Sequence, residues 1–227
     1  NESPIIEKVL LSYYKEIGAT LPSEIVVCED GSTDGSKEIL LSLAQRIPFK
    51  LITRQQRKGF AKAVKDALRY VNSDWIFLSD SDGQYFPSDF WKLWKKRDGY
   101  DIVIGCKTPR KEPLHRIMLA KGFHKTVNGL FGFNLHDADC GFRLIRKEVI
   151  RSVIDEVRFL KYSFLAEFTI RALLKGFRIC EVPINHRSRI CGDTHIYRLS
   201  EIPMIVLKQL KGLALLYMDV RKSAGML

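Results

Sequence analysis

Short apolar runs rich in β-branched residues alternate with longer stretches of helical periodicity along the first half of the chain. The runs predict strands at residues 24–28, 49–53, 75–79 and 101–105. Helical spacing predicts one helix that starts at Ser3-Pro4 and further helices at residues 36–46, 58–71 and 86–96. This alternation is typical of an α/β fold in which a mostly parallel central sheet carries helices on both faces. In such sheets, ligands bind beyond the carboxyl ends of the strands.

The pattern changes after about residue 110. It predicts a basic amphipathic helix at residues 113–130, a strand at 142–145, a helix at 164–174, a strand at 179–184 and a long apolar helix at 202–220. No internal repeat or flexible linker interrupts the sequence. We therefore expect a single domain over residues 1–227.

Charge and cysteine usage limit the class of partner and the compartment. The chain has a formal net charge of +11, which favours an anionic partner such as a phosphorylated substrate, a lipid head-group layer or a nucleic acid. Its five cysteines are scattered and form no CxxC pair, which indicates a reducing cytoplasm rather than a disulfide framework. No run of eighteen apolar residues predicts a membrane span.

Carboxylates follow two of the predicted strands. Asp80 and Asp82 come directly after the strand at 75–79, and their i, i+2 spacing puts both side chains on one side of an extended segment. Paired oxygen ligands suit Mg²⁺ or Mn²⁺, and Gln84 could add a neutral oxygen. The same residues also suit a simple surface turn. The second loop, after the strand at 24–28, leaves Asp30 available to a base or ribose, while residues 32–34 are expected to cap the next helix.

An ordered set of motifs is similar to family 2 glycosyltransferases of the GT-A fold. It comprises Asn1-Glu2, EDGSTDG at 29–35, KGFAKA at 58–63 and DSDGQ at 80–84. Three later motifs, DADCGFR at 137–143, EVPI at 181–184 and HRSRICG at 186–192, resemble the dolichyl-phosphate mannose synthase group, whose relatives act on polyprenyl phosphates. The family usually begins with a strand ending in Pro-x-Tyr-Asn-Glu, so a strand ahead of Asn1 is expected.

The resemblance implies an inverting, metal-dependent transfer of a hexose from a nucleotide-diphospho-sugar, either GDP-mannose or a UDP-sugar, to a polyprenyl or dolichyl phosphate. Mg²⁺ or Mn²⁺ would be the cofactor, held by Asp80, Asp82 and Gln84. Together with the cluster of basic residues at 107–125 and the carboxylates at 137 and 139, the resemblance leads us to expect the following roles: catalysis by Asp80, Asp82, Asp137 and Arg143; nucleotide-sugar binding by Glu2, Asp30, Lys58, Asp80 and Lys107; acceptor-phosphate binding by Lys107, Arg116, Lys121 and Arg189. Lys107 stands where the group usually has arginine, and lysine lacks bidentate phosphate geometry. Glu167 matches an acidic position of unspecified role.

The implied layout is a nucleotide-sugar-binding half at 1–110, an acceptor-binding half at 111–200 and an amphipathic C-terminal helix at 201–227. The basic helix at 113–130 suits a membrane interface, or it packs its apolar face on the core. The helix at 202–220 could lie on a membrane, lead to a partner or close the core. We expect a cytoplasmic protein on the cytoplasmic face of a membrane, with a possible membrane-anchor subunit or domain and no nucleic-acid partner.

Three rival functions stay open at this point. A saccharide hydroxyl acceptor would need a carboxylate base, for which Asp137 and Asp139 are the candidates. A nucleotidyltransferase uses similar acidic loops but normally also a glycine-rich phosphate loop after its first strand. A basic nucleic-acid-binding protein would have no use for two acidic strand ends.

Overall fold

The computed structural model describes residues 1–189 and 199–223, which form an α/β fold. The strands are β1 (Val26–Glu29), β2 (Lys50–Thr53), β3 (Trp75–Leu78), β4 (Ile102–Lys107), β5 (Arg143–Arg146) and β6 (Ile179–Ile184). The helices are α1 (Ile6–Tyr13), α2 (Ser36–Leu43), α3 (Phe60–Tyr70), α4 (Phe90–Lys96), α5 (Leu114–Phe131), α6 (Lys147–Val153), α7 (Phe164–Leu174) and α8 (Ile202–Ser223). A π-helical turn (Tyr14–Gly18) continues α1, and short 3-10 turns occupy Pro87–Asp89 and Leu199–Glu201.

Most elements lie where the sequence pattern predicts them. The predicted helix at 164–174 and strand at 179–184 coincide with α7 and β6, and the basic helix at 113–130 is shifted by one residue in α5. The helix α6 was not predicted, because its seven residues span too few turns to give a clear period. Residues 190–192 of the last motif lie outside the described ranges.

The strands form two sheets. In one, β1 and β2 pair in parallel; in the other, the strand order is β3-β5-β4-β6. In the larger sheet β3, β4 and β6 run in the same direction, whereas β5 lies between β3 and β4 and is antiparallel to both. The prediction of an α/β fold with a central sheet is confirmed, and the direction of β5 is the feature that the sequence did not reveal. A four-residue strand carries no local signal of its direction, which depends on how the preceding chain returns to the sheet.

Four clusters of buried apolar residues hold the described elements, and the smallest comprises Leu135, Ala138 and Ala166. The largest surrounds the four-stranded sheet with α4, α6 and α7 and includes Phe142, Phe168 and Leu93. A second joins α1 and α2 to the small sheet, and a third packs α5 and α7 against α8 through residues such as Val127 and Leu216. A cavity of about 1540 Å³ lies between the sheets and is lined by β1 and β3 together with α1 and α3. It opens at the carboxyl ends of β1 and β3, where the acidic loops lie.

Helices α5 and α8 carry exposed apolar side chains as well as buried ones. Leu114, Met118 and Leu207 are 72%, 65% and 69% exposed, whereas Leu213 and Leu216 of α8 are buried in the core. In the described part of the chain, no helix combines the length and apolarity needed to cross a bilayer.

Candidate active site

The loop after β3 brings its two carboxylates to the opening of the cavity. Gly83, with a φ of 70°, turns the chain after Asp82, and glycine adopts this left-handed conformation without the cost of a β-carbon. The carboxylate of Asp82 accepts a hydrogen bond from the backbone N–H of Gln84 at 3.1 Å. The amide of Gln84 donates to the carbonyl of Arg187 at 3.2 Å. Asp80, Asp82 and Gln84 all line one cleft.

The two carboxylates lie close enough to influence each other. Burial, followed by the negative charge of Asp82, raises the pKa of Asp80 to about 7, and Lys107 only partly opposes this rise. Two carboxylates that destabilise each other's charge are suited to a divalent cation, which would neutralise both. Among the described residues, no group of three or more His, Cys, Asp or Glu side chains could hold a metal ion. An ion held by Asp80 and Asp82 would therefore take its remaining ligands from water and phosphate oxygens, as Mg²⁺ commonly does.

The loop after β1 is held by its own acidic side chains. The carboxylate of Asp30 accepts hydrogen bonds from the backbone N–H groups of Lys58 and Gly59 at 3.0 and 2.7 Å and from Arg54 at 2.8 Å. Although burial opposes it, these donors lower the pKa of Asp30. Asp34 accepts from the backbone N–H of Ser36, the first residue of α2, at 3.1 Å, but the N-cap residue of this helix is Gly35 and no side chain caps it. Asp30 thus lines the cleft and also fixes the loop that precedes α3.

Glu2 joins the first residues of the chain to the start of α2 and to Arg189. Its backbone N–H donates to the hydroxyl of Ser36 at 2.8 Å, and its carboxylate forms an ion pair with Arg189. Burial raises the pKa of Glu2, Arg189 lowers it, and the nearby charge of Asp82 raises it further. Glu2, Asp82 and Arg189 therefore meet on one side of the cleft although they are distant in sequence.

The basic side chains of Lys107, Arg110 and Arg116 line the same cleft and form what we call its basic wall. The ammonium of Lys107 lies 3.7 Å from Asp137 and 3.8 Å from Glu112. Arg110 lies 2.5 Å from Asp137 and 3.3 Å from Glu112. Although burial lowers the pKa of Lys107, Asp137 and Glu112 raise it overall, so this side chain stays charged. Arg116 lies 3.9 Å from Glu112 on the same wall.

The two carboxylates proposed as bases are already engaged. Asp137 is buried between Lys107 and Arg110, so its charge is balanced by two cations. Asp139 accepts a hydrogen bond from the backbone N–H of Ala166, in the first turn of α7, at 3.1 Å. Burial raises the pKa of Asp139 to about 6. These contacts do not favour the prediction of a general base at Asp137.

The structure contradicts the predicted catalytic role of Arg143, which does not line the cleft. Its side chain is completely buried. The guanidinium donates to the carbonyls of Ala138 at 2.9 Å and of Cys140 at 2.7 Å, and to the hydroxyl of Thr169 at 3.0 Å. A guanidinium has five N–H donors and no acceptor, and here these donors hold the turn that precedes β5 together.

Two further lysines lie away from the cleft. Lys58 is exposed on a separate groove of about 530 Å³ beside α3, and Lys121 is exposed on α5 and does not line the cleft. Only the backbone N–H of Lys58 approaches the site, through Asp30. The predicted nucleotide contact of Lys58 and phosphate contact of Lys121 would therefore require movement of their long side chains.

The structure also shows contacts at the site that the sequence did not predict. The hydroxyl of Tyr13 lies 2.6 Å from that of Ser79, next to Asp80. His186 accepts a hydrogen bond from the backbone N–H of Lys111 at 3.1 Å, and burial lowers its pKa to about 4, so it is neutral. Each contact joins distant parts of the chain, so no local pattern could have indicated it.

Comparison with known proteins identifies the family. The model of glycosyl transferase family 2 matches residues 1–154. The chain belongs to this family. It is 30% identical to a polyprenol monophosphomannose synthase of Mycolicibacterium smegmatis, over 74% of this chain and 68% of that protein. It is also 30% identical to a dolichyl-phosphate hexose transferase of Haloferax volcanii, over 75% of this chain and 73% of that protein.

Solved structures show the same fold. The glucosyl-3-phosphoglycerate synthase of Mycobacterium tuberculosis, in complex with Mn²⁺, UDP and phosphoglyceric acid, matches with a TM-score of 0.70 at 17% identity, over 96% of this chain and 75% of that chain. The same enzyme with Mg²⁺ and UDP matches with a TM-score of 0.66 at 17% identity, over 93% of this chain and 75% of that chain. The predicted GT-A fold and the assignment as a glycosyltransferase are confirmed.

Proposed function

We propose that this glycosyltransferase transfers a hexose from a nucleotide-diphospho-sugar to a polyprenyl phosphate and depends on Mg²⁺ or Mn²⁺. The observation that carries the proposal is a single cleft that is lined by Asp80 and Asp82 and also by Lys107, Arg110 and Arg116. A carboxylate pair suits a cation that binds a diphosphate, and a basic wall suits a second phosphate. The named relatives use lipid phosphates of this kind, which supports the choice of acceptor.

On the donor side, Asp80 and Asp82 would hold the metal ion, and Gln84 would contact the same region. When bound, the ion neutralises the negative charge that develops on the leaving diphosphate. Glu2 and Asp30 line the part of the cleft next to Asp82, and their carboxylates can accept hydrogen bonds from the base and ribose. The donor sugar would then lie between the acidic loop and the basic wall.

On the acceptor side, the basic wall favours a phosphate over a hydroxyl. A phosphate oxygen is already anionic at neutral pH and needs no base, whereas a sugar hydroxyl does. Lys107, Arg110 and Arg116 carry three positive charges, and Asp137 and Glu112 neutralise two of them. Asp137 is itself held by Lys107 and Arg110. We propose a single displacement with inversion at the anomeric carbon of the sugar. An oxygen of the acceptor phosphate bonds to this carbon while the bond between the carbon and the nucleotide diphosphate breaks.

A lipid acceptor requires a membrane-facing side, and we propose the exposed face of α5 and α8. Leu114, Met118 and Leu207 are among its most exposed apolar residues, and lysines at 121, 125, 208 and 211 are interspersed with them. This combination is typical of helices that lie in a bilayer interface. Leu207→Asp should reduce cosedimentation with vesicles that contain anionic lipid while the melting temperature stays unchanged. Equal cosedimentation would contradict this surface.

The donor and metal assignments are tested by a thermal-shift screen of GDP- and UDP-sugars with Mn²⁺ or with EDTA. A ligand at 100 times its Kd stabilises the folded state by about 2.7 kcal/mol. We expect one nucleotide-sugar to raise the melting temperature only when Mn²⁺ is present, and Asp82→Ala to abolish that rise. Asp98→Ala, at a side chain that is 86% exposed, is the matched control. An unchanged response in Asp82→Ala would rule out this metal site.

The acceptor is tested with the preferred donor by offering dolichyl phosphate, free phosphate and soluble saccharides. A lipid-linked sugar phosphate is the expected product. Transfer to a saccharide hydroxyl, with a loss of about 100-fold or more in Asp137→Asn, would instead support the rival acceptor.

A further inference from the structure

The residue that faces Asp80 across the sheet is a glycine. Strands β3 and β5 pair antiparallel, with Leu78 opposite Arg143, and continuing this register by two residues places Asp80 opposite Gly141. Side chains directly opposite each other in an antiparallel pair lie on the same face, with β-carbons about 5 Å apart. At this position, however, the side chain of Asp80 leans over its partner and occupies the space that a side chain at 141 would need.

The space beside Gly141 is already filled by the carboxylate of Asp80. A β-carbon built on Gly141 would lie 2.6 Å from both Cγ and Oδ1 of Asp80 and closer still to Oδ2. All three of its nearest atoms belong to that one carboxylate. Since real β-carbons essentially never approach another atom this closely, even alanine would force the carboxylate to move.

Backbone conformation does not require a glycine at position 141. The φ of Gly141 lies outside the left-handed region, so an L-residue could adopt this backbone without strain. The segment is also held firmly, because the buried guanidinium of Arg143 binds the carbonyls of Ala138 and Cys140. The backbone therefore cannot easily withdraw from an added methyl group, and Asp80 is the group that would be displaced.

We infer that Gly141 is a positioning residue for Asp80: its missing side chain creates the space in which the carboxylate sits, so that Asp80 can hold the cation together with Asp82. This inference deepens the proposed function and rests on the metal site assigned there. It also gives the buried Arg143 a role, since that side chain fixes the backbone against which Asp80 lies.

The test is a double-mutant cycle of four proteins: the parent, Gly141→Ala, Asp80→Ala and the double variant. Melting temperatures are measured in EDTA, and Mn²⁺ affinity is measured by calorimetric titration. Gly141→Ala should lower the melting temperature of the parent by several degrees and weaken Mn²⁺ binding at least tenfold. In the Asp80→Ala background the obstructed carboxylate is gone, so the same substitution should leave the melting temperature unchanged or raise it.

Gly129→Ala is the matched control, because a β-carbon at this exposed glycine of α5 would meet no atom within 4 Å. It should leave Mn²⁺ affinity unchanged. An equal drop in melting temperature in both backgrounds, or parental Mn²⁺ affinity in Gly141→Ala, would overturn the inference. If Gly141→Ala does not fold, folding of the double variant supports the inference and its failure to fold refutes it.

The cycle in EDTA needs no metal, so the contact between Gly141 and Asp80 is judged separately from the proposed function. A parent that binds no Mn²⁺ would refute the metal site and the metal-positioning role. The coupling in melting temperature would still decide whether Gly141 accommodates the Asp80 carboxylate.

Discussion

Replacing Asp80 with asparagine should make the metal-free protein more stable at pH 8 while it abolishes metal-dependent donor binding. Asparagine has nearly the shape of aspartate but no charge. In the parent, burial and the neighbouring Asp82 raise the pKa of Asp80 from its ordinary 3.8 to about 7. The ionised carboxylate of Asp80 therefore destabilises the fold. Asparagine at this position removes both the buried charge and its repulsion from Asp82.

The sign and size follow from linkage between protonation and folding. The pKa of Asp80 is raised in the folded state, so its ionisation lowers the free energy of unfolding. This loss of stability is absent below pH 3.8, grows as the pH rises toward 7 and is complete above it. Each pKa unit corresponds to 1.36 kcal/mol, so the upper limit at pH 8 is about 4 kcal/mol. Asp80 is partly exposed to the cleft, where water and salt screen its charge. We therefore expect a gain of about 1–2 kcal/mol, or about 2–8 °C for a chain of this length.

The assay is thermal denaturation of both proteins in EDTA at pH 4, 5, 6, 7 and 8. The advantage of Asp80→Asn should fall to less than half between pH 8 and pH 4. Asp98→Asn, at a side chain that is 86% exposed, should show no comparable pH dependence. An Asp80→Asn variant that is no more stable than the parent at pH 8, or whose advantage is the same at every pH, would refute the reasoning.

Three further predictions concern buried charges. Arg143→Met should lower the free energy of unfolding by about 3–5 kcal/mol, because it leaves buried carbonyls without donors; urea denaturation measures this, and a loss of activity at parental stability would contradict it. Glu167→Gln should cost a similar amount, since this buried carboxylate accepts three backbone N–H groups at residues 158–160 and pairs with Arg171; a cost below about 1 kcal/mol would contradict it. Asp219→Asn should cost about 1 kcal/mol and speed proteolysis within α8, because Asp219 ties this helix to Arg171 at 2.8 Å; unchanged proteolysis would exclude such a tie.

Local sequence patterns were sufficient to locate most of the elements and the acidic loop. Strand β3 is a continuous apolar run, so the sequence alone assigns Asp80 and Asp82 to its carboxyl end. The helix α7 could be predicted within its bounds because its apolar periodicity is long and uninterrupted. The motif resemblance then supplied the family, which the comparisons confirm.

Long-range contacts explain the parts of the site that the sequence did not reveal. Arg143 reads as a cation near a motif, but only its place in β5, between two other strands, buries its guanidinium. Asp137 reads as a free carboxylate, but the structure brings Lys107 and Arg110 to it from the end of β4. Whether a charge is free or neutralised depends on its partners in space, and these partners come from distant segments.

The sequence by itself determined the order of the elements, the acidic ends of β1 and β3, the excess of positive charge and the family. These properties depend on neighbouring residues, which every conformation of the chain keeps together. The tertiary structure alone decided that β5 runs antiparallel, that Glu2 meets Arg189 and that the basic wall lines the same cleft as Asp80 and Asp82. Such pairings form only when the chain closes long loops, and the free energy that selects them comes from packing of the whole core rather than from any local segment.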